Sequence, residues 1–488
     1  MTPVTLCYGN VLGPLLGPDR GPDPAALEAG GELCRRFEAA MAELHRRREA
    51  GELGFLDLPD DQALARQTGE LADSFGQWFE AVVVVGIGGS GLGARALAEA
   101  LLGPFWNERS DEERDHFPRL YFLENADPDT TRELLDRLDL RRTLFNVVSK
   151  SGGTAETLAQ YLIIEDRLRS ELGEEGVRGH LLFTTDPSTG PLRGLAGERE
   201  VPALPVPPNV GGRFSVLSPV GLLPAAVVGV DLDQLLDGAR RMRDRCLTPS
   251  LRGNPAGLLA TLLHAADVDR GQRVHVFMPY SDRLRGLALW FQQLWGESLG
   301  KRPTGSGSSP RRDPDPGAGP SPGDVQGPGD PGGVGPTPLA ALGAVDQHSL
   351  LQLLMDGPRD KVVTFVRVRE RDEPLPIPRS HPHRPALSRL GGHSLAELLD
   401  TELRATVEAL RRGGRPSLTL EVDRLDAHSL GELFMLWQVA AVLAGALYGV
   451  NPLDQPGVEL GKRLTLGLLD PGGEEGDGPP PDDPQWSV

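Results

Sequence analysis

The chain has 488 residues, more than one hydrophobic core usually sustains, so two large domains or one domain with extensive additions are expected. Fifty Lys and Arg against 69 Asp and Glu leave a net charge of −19, which speaks against a surface that binds the nucleic-acid backbone or adheres to anionic membranes. Three widely spaced cysteines, Cys7, Cys34 and Cys246, form no C-x-x-C pair. They indicate neither a disulfide framework nor a structural zinc site and fit a reducing cytoplasm, and the opening MTPVTLCYGN has no basic-then-apolar export signal.

In chain order, the apolar runs 81–85 (AVVVV), 120–123 (LYFL), 144–149 (LFNVVS) and 181–184 (LLFT) lack alternation, as strands covered on both faces do. Helices are expected between them at 91–102, 131–138 and 154–172. A Pro-rich stretch, VPALPVPPN at 201–209, followed by an apolar helix over 215–230, reads as the crossing to a second unit. That unit repeats the scheme, with strands at 274–278, 362–368 and 418–422 and helices near 283–295 and 394–412. The rhythm is that of an α/β protein with two parallel sheets flanked by helices. The expected division is an N-terminal helical segment plus a first α/β domain over 1–209, and a connecting helix plus a second α/β domain over 210–470. Within the second, 302–336 is rich in Gly, Pro, Ser and Asp and reads as a disordered loop, and 471–488 reads as a solvated acidic tail. The run 433–450, LFMLWQVAAVLAGALYGV, just reaches the length of a membrane span. It is solitary, has no basic flank and carries Glu432 at its entrance, and so reads as a buried core helix.

Two strand-end loops can receive phosphate. GIGGSGLG at 86–93, including Gly88 and Ser90, follows a strand and opens a helix, so backbone N–H groups and the helix dipole face an anion there. The same letters satisfy G-x-G-x-x-G, with Glu124 after the next strand, which is the pattern of a dinucleotide site. SKSGGT, with Ser149, Lys150, Ser151 and Thr154, adds hydroxyls, glycines and an ammonium before another helix. A dinucleotide fold has no use for this second loop, whereas a sugar-phosphate site does; helix capping is the other use of such hydroxyls. The chain has only four lysines, Lys150, Lys301, Lys361 and Lys462, its other basic residues being arginine. A retained ammonium is therefore informative, and three of the four stand in distinctive segments.

From about residue 82 to 464 the chain resembles the glucose-6-phosphate isomerases. The resemblance rests on six segments in the family's order: GIGGSGLGARAL, SKSGGTAET, VGGRFSVLSPVGLLP (210–224), WFQQLWGESLGK (290–301), DQHSLLQLLMDGP (346–358) and VNPLDQPGVELGK (450–462). It implies two sugar-isomerase-type (SIS) domains with the site between them and aldose–ketose isomerisation of glucose 6-phosphate and fructose 6-phosphate through an enediolate, with no metal or cofactor. By the same resemblance Glu297 is the base, Arg213 the cation that stabilises the enediolate, and His348, entering from the neighbouring subunit of a homodimer, opens the sugar ring with Lys462. Gln293 and Gln455 match positions that contact phosphate or ring, and Gly88 and Ser90 match the first anion loop. Two glycines after Ser151 depart from bulkier residues in many relatives, which leaves open a dual phosphoglucose/phosphomannose isomerase. A non-catalytic sugar-phosphate-binding module would share the loops but needs no base, cation, histidine and ammonium together. The stretch after Lys301 reads as a surface insertion in preference to a lid.

Overall fold

The computed structural model describes residues 3–76, 78–303 and 332–469. The strands are β1 (Thr5–Cys7), β2 (Ala81–Val85), β3 (Arg119–Leu123), β4 (Thr143–Ser149), β5 (Leu181–Thr185), β6 (Ala203–Pro205), β7 (Val274–Pro279), β8 (Thr337–Ala340), β9 (Lys361–Val368) and β10 (Ser417–Val422). They form two five-stranded sheets, β3-β2-β4-β5-β6 and β1-β10-β9-β7-β8. Every pairing is parallel except that of β1 with β10. Each residue of β2, β4 and β5 is buried, which is why these strands read as unbroken apolar runs. Alternate residues serve opposite faces. Val83, Val85, Phe145 and Val147 pack with Tyr161, Ile164 and Leu168 of the helix Ala155–Gly179. Val82, Val84, Leu144 and Val148 pack with Val220 and Leu223 of the helix Pro219–Ala226.

That last contact crosses the expected domain division. The connecting helix Pro219–Ala226, assigned to the second unit, packs into the core of the first sheet. Conversely, β1 from the N-terminal segment extends the second sheet, and the helix Glu32–Glu49 packs on helices Pro255–Arg270 and Ala427–Tyr448 of the second unit. A boundary at residue 209 follows the chain but not the packing. The Pro-rich stretch expected as a bare crossing contains β6, an edge strand, where a proline costs no ladder bond. The helix expected over 154–172 runs as Ala155–Gly179 with its break at Gly173, whose φ of +73° interrupts the spiral where the reading had ended it.

The apolar run expected from residue 433 is part of the helix Ala427–Tyr448, opened by an Asp426–Ser429 capping box and closed by Gly449 at φ +69°. Its most apolar window is 89% buried, so it is the central core helix. It lies so close to the helix Leu232–Cys246 that a Cβ on Gly238 would stand 1.9 Å from the His428 carbonyl oxygen. Of the expected 302–336 loop, residues 304–331 lie outside the described residues, as does the expected tail 471–488. The loop's described ends are placed, with Lys301 and Val334 forming an isolated antiparallel bridge.

Sheet order fixes where a ligand can enter. From β2 the chain goes to β3 on one side and then crosses to β4 on the other, so the topological switch point, where open α/β sheets take their ligands, lies at the carboxyl ends of β2 and β4. Both anion loops, 86–93 and 149–154, leave from those ends.

Candidate active site

The helix Arg285–Leu299 carries Gln293 and Glu297 four residues apart on one face, and the Gln293 amide donates to Glu297 Oε2 at 3.0 Å. Glu297 Oε1 accepts from Arg213 Nη1 at 3.2 Å, leaving the carboxylate 27% exposed beside a guanidinium only 2% exposed. Arg213 spends all five of its donors. Nε donates to Ser298 Oγ at 2.7 Å, Nη1 also to Gln455 Oε1 at 3.1 Å, and Nη2 to the carbonyls of Asp454, at 2.9 Å, and Pro452. Burial pulls its pKa down, and Glu297 and Asp454 oppose that shift. The two longest of these bonds both come from Nη1, which is the donor most easily exchanged for a substrate oxygen.

Glycines let the first anion loop reach this cluster. Gly88 has φ +59°, and a Cβ there would stand 3.0 Å from Gln293 Nε2; a Cβ on Gly89 would stand 2.3 Å from the Gly212 carbonyl carbon. Ser215 reinforces the approach, donating to the Gly212 carbonyl at 2.6 Å with the Gly89 carbonyl 3.3 Å away. Ser90 is half-buried in the same loop. In the second loop, Ser149 and Thr154 hydroxyls lie 2.9 Å apart, Ser149 Oγ accepts from the Gly152 amide at 3.1 Å, and Ser151 Oγ accepts from the Gly153 amide at 3.3 Å. These hydroxyls organise their own turn, and Thr154 makes no side-chain cap bond. Lys150 donates to the Pro208 carbonyl at 2.6 Å, and burial lowers its pKa against the pull of Asp186.

The structure therefore brings together Glu297, Arg213, Gln293, Gln455 and Gly88, with Ser90 in the same loop and Ser149, Lys150, Ser151 and Thr154 on the adjacent strand end. Neither His348 nor Lys462 makes a hydrogen bond or ion pair with Glu297 among the described residues. His348 is exposed on the turn after β8, without a side-chain hydrogen bond among the described residues. Lys462 is exposed on the helix Glu459–Leu469 and pairs with Glu459 at 2.8 Å.

The structure also adds residues that the sequence reading did not place in the site. Ser298 orients the Arg213 fork. Lys301, 9% exposed, spends its three donors on the Asn451 carbonyl, the Asp454 carbonyl at 2.5 Å and Asp454 Oδ1 at 2.8 Å. Arg213 and Lys301 thus bind carbonyls of one short segment, 451–454, from two sides. The scarcity of lysine had marked Lys301; nothing in the pattern marked the carbonyls of Pro452 and Asp454, because every residue has one.

Comparison with known proteins supplies the family. The phosphoglucose isomerase family model matches residues 62–313 and 339–471. A glucose-6-phosphate isomerase of Carboxydothermus hydrogenoformans is 41% identical over 443 residues, 90% of this chain and 89% of that protein. One of Rubrobacter xylanophilus is 44% identical over 387 residues, 79% and 82% of the two chains. Among solved structures, a Thermus thermophilus protein described as hypothetical matches with a TM-score of 0.78 at 38% identity, covering 90% of this chain and 96% of that one. A glucose-6-phosphate isomerase from Chlamydia trachomatis matches with a TM-score of 0.69 at 26% identity over 84% of this chain and 73% of that one. With two parallel α/β units and a Glu–Arg–Gln cluster against the loop 86–93, the chain belongs to the phosphoglucose isomerase family.

Proposed function

We propose that the protein interconverts glucose 6-phosphate and fructose 6-phosphate by proton transfer through an enediolate, a step of glycolysis and gluconeogenesis. The observation that carries the reading is the Glu297 carboxylate, held by Arg213 and Gln293 against the loop 86–93. With the sugar open, Glu297 takes the proton from C2, and the negative charge that develops on O1 falls to Arg213. The proton returns to C1 while the hydroxyl proton of O2 passes to O1, and the ketose results. Loops 86–93 and 149–154 hold the phosphate through Ser90, Ser149, Lys150, Ser151, Thr154 and backbone amides. Gln293 and Gln455 orient the sugar.

His348 acts at the ring oxygen of a second copy's substrate in a homodimer. In support, its neighbours are pinned while it is not: Gln347 Nε2 donates to Tyr280 Oη at 2.6 Å and Thr406 Oγ1 at 2.7 Å, and Asp346 Oδ2 accepts from the Leu342 amide at 2.8 Å. A rigid turn presenting one exposed histidine outward suits delivery to a neighbour. Lys462 joins it on leaving its present ion pair with Glu459. A cytoplasmic location goes with substrates whose phosphates keep them from crossing membranes.

The test is formation of glucose 6-phosphate from fructose 6-phosphate by chelator-treated protein, with mannose 6-phosphate in parallel and Glu297→Gln beside the wild type. Loss of turnover by ~100-fold or more, with the affinity for inorganic phosphate unchanged, is the expected result for a base that acts in the transition state. Retained turnover in Glu297→Gln would remove the assignment, and use of the mannose ester would make the protein a dual isomerase.

A further inference from the structure

We propose that His275, a buried residue of β7 with no place in the site described above, is a positioning residue for Glu297: its hydrogen bond to Trp295 sets the rotation of the helix Arg285–Leu299 about its axis. Trp295 Nε1 donates to His275 Nδ1 at 3.0 Å. His275 is 2% exposed and Trp295 fully buried. The proposal rests on the reading of Glu297 as the base.

Successive helical residues are ~100° apart, so Trp295 and Glu297, two positions apart, face roughly opposite ways. On the sheet-facing side, Gln292 and Trp295 make polar ties: Gln292 Oε1 accepts from the Ala340 amide of β8 at 3.1 Å, and Trp295 donates to His275 of the adjoining strand β7. On the other side stand Gln293 and Glu297. The indole N–H is the single donor of a ring otherwise packed on Phe291 and Trp437. Burial pushes the His275 imidazole down to about 3, so it stays neutral, and the bond from Trp295 selects the tautomer with its proton on Nε2 and the Nδ1 lone pair accepting. Without that acceptor, a buried N–H is orphaned, and the last turn of the helix relaxes toward another partner or toward a lost bond. The carboxylate stands ~6 Å from the helix axis, so a rotation of ~10° moves it by ~1 Å. A misplacement of ~1 Å at a reacting atom costs on the order of a hundredfold in rate.

The experiment compares His275→Leu, His275→Asn, Trp295→Phe and the Leu/Phe double variant, as full-length proteins, by kcat and KM for fructose 6-phosphate. His275→Leu and Trp295→Phe are expected to lower kcat by ~10- to 100-fold, with KM changed far less, because the last turn that relaxes carries Glu297 and not Gln293 or the phosphate loops. His275→Asn, whose amide oxygen takes the place of Nδ1, is expected to recover kcat to within ~3-fold of wild type. The double variant is expected to be no worse than either single one, since both remove the same bond. If His275→Leu does not fold, Trp295→Phe, which keeps an aromatic ring in place, carries the test. A His275→Leu kcat equal to wild type, or an Asn variant as slow as the Leu variant, overturns the proposal. Glu297→Gln run alongside separates the two claims: turnover there means the base is misassigned, whereas a silent Glu297→Gln with fully active His275→Leu and Trp295→Phe overturns the positioning role alone.

Discussion

Gly89→Ala should slow the enzyme without removing a polar group. A Cβ at residue 89 would stand 2.3 Å from the carbonyl carbon and 2.5 Å from the carbonyl oxygen of Gly212, with Arg213 N at 2.7 Å. Ordinary contact begins at 3.4 Å, so the loop 86–93 and the segment 211–213 must part by ~1 Å, and the obstacle is backbone, which cannot rotate aside. The shift passes directly to Arg213, the next residue along, or to Gly88 against Gln293. Repacking of this kind costs ~1–3 kcal/mol of stability, and a displacement of ~1 Å between the phosphate loop and the cation costs on the order of 100-fold in kcat/KM. The assay is fructose 6-phosphate turnover coupled to oxidation of glucose 6-phosphate, beside a thermal unfolding curve. Gly69→Ala is the control: it lies in the helix Gln62–Gly76 with nothing within 4 Å of its added Cβ. It should keep full activity and gain ~0.5–1 kcal/mol. A Gly89→Ala enzyme within threefold of wild type would refute the claim that the close approach of these two loops sets the geometry of the site.

Arg213→Lys keeps the charge but offers three donors where five are used, so at least two partners are left bare at ~1.5–3 kcal/mol each; both melting temperature and kcat should fall, and a fall in melting temperature alone would make Arg213 a strut without a role in charge stabilisation. Glu432, 1% exposed, has its pKa raised above the ordinary 4.5, chiefly by burial and against the Val4 amide that donates to it at 2.8 Å. A carboxyl raised on folding binds more protons in the folded state, so its contribution is present below 4.5 and is lost as pH rises through the higher folded value. Glu432→Gln should therefore raise the melting temperature at pH 7, with the difference shrinking toward pH 4.5; no difference at pH 7 would sink the argument.

Much of the fold was written in local pattern. Doubly covered strands announce themselves as runs such as AVVVV, and the central helix as an unbroken apolar stretch, because both bury every face. What escaped was short or tertiary: β1 and β6 have three residues each and β8 has four, too few for a period. Which sheet the helix Pro219–Ala226 covers depends on contacts far along the chain. The site divides in the same way. Glycine loops and Glu297 in the segment 290–301 carry their chemistry in residue types, whereas the cage of carbonyls at 451–454 depends on where backbone oxygens point. The direction of His348 and Lys462 was likewise invisible, since exposure belongs to the packed molecule and not to the motif.

Charge poses the remaining question, because a protein of net charge −19 must attract a phosphorylated sugar. At physiological ionic strength the Debye length is ~8 Å, so the substrate senses the cations near its path and little of the distant acidic surface. Of those cations, Arg213 donates to Glu297 and Lys301 to Asp454, and each is to that extent already neutralised. Lys150 differs: its hydrogen-bond partner is the uncharged Pro208 carbonyl, and Asp186 acts on it only electrostatically. A half-buried ammonium without a bonded carboxylate carries a desolvation cost that a phosphate would repay, and it stands in the loop 149–154, proposed above to hold the phosphate. Lys150→Met should then raise KM for fructose 6-phosphate and the inhibition constant of inorganic phosphate together, by roughly 10- to 100-fold, the worth of one charge-assisted bond at ~1.5–3 kcal/mol. kcat should change far less, since the ammonium holds phosphate equally in ground and transition states. If both constants stay at their wild-type values, Lys150 serves to pin the 207–209 segment, and the affinity for the dianion comes from the loop amides and hydroxyls alone.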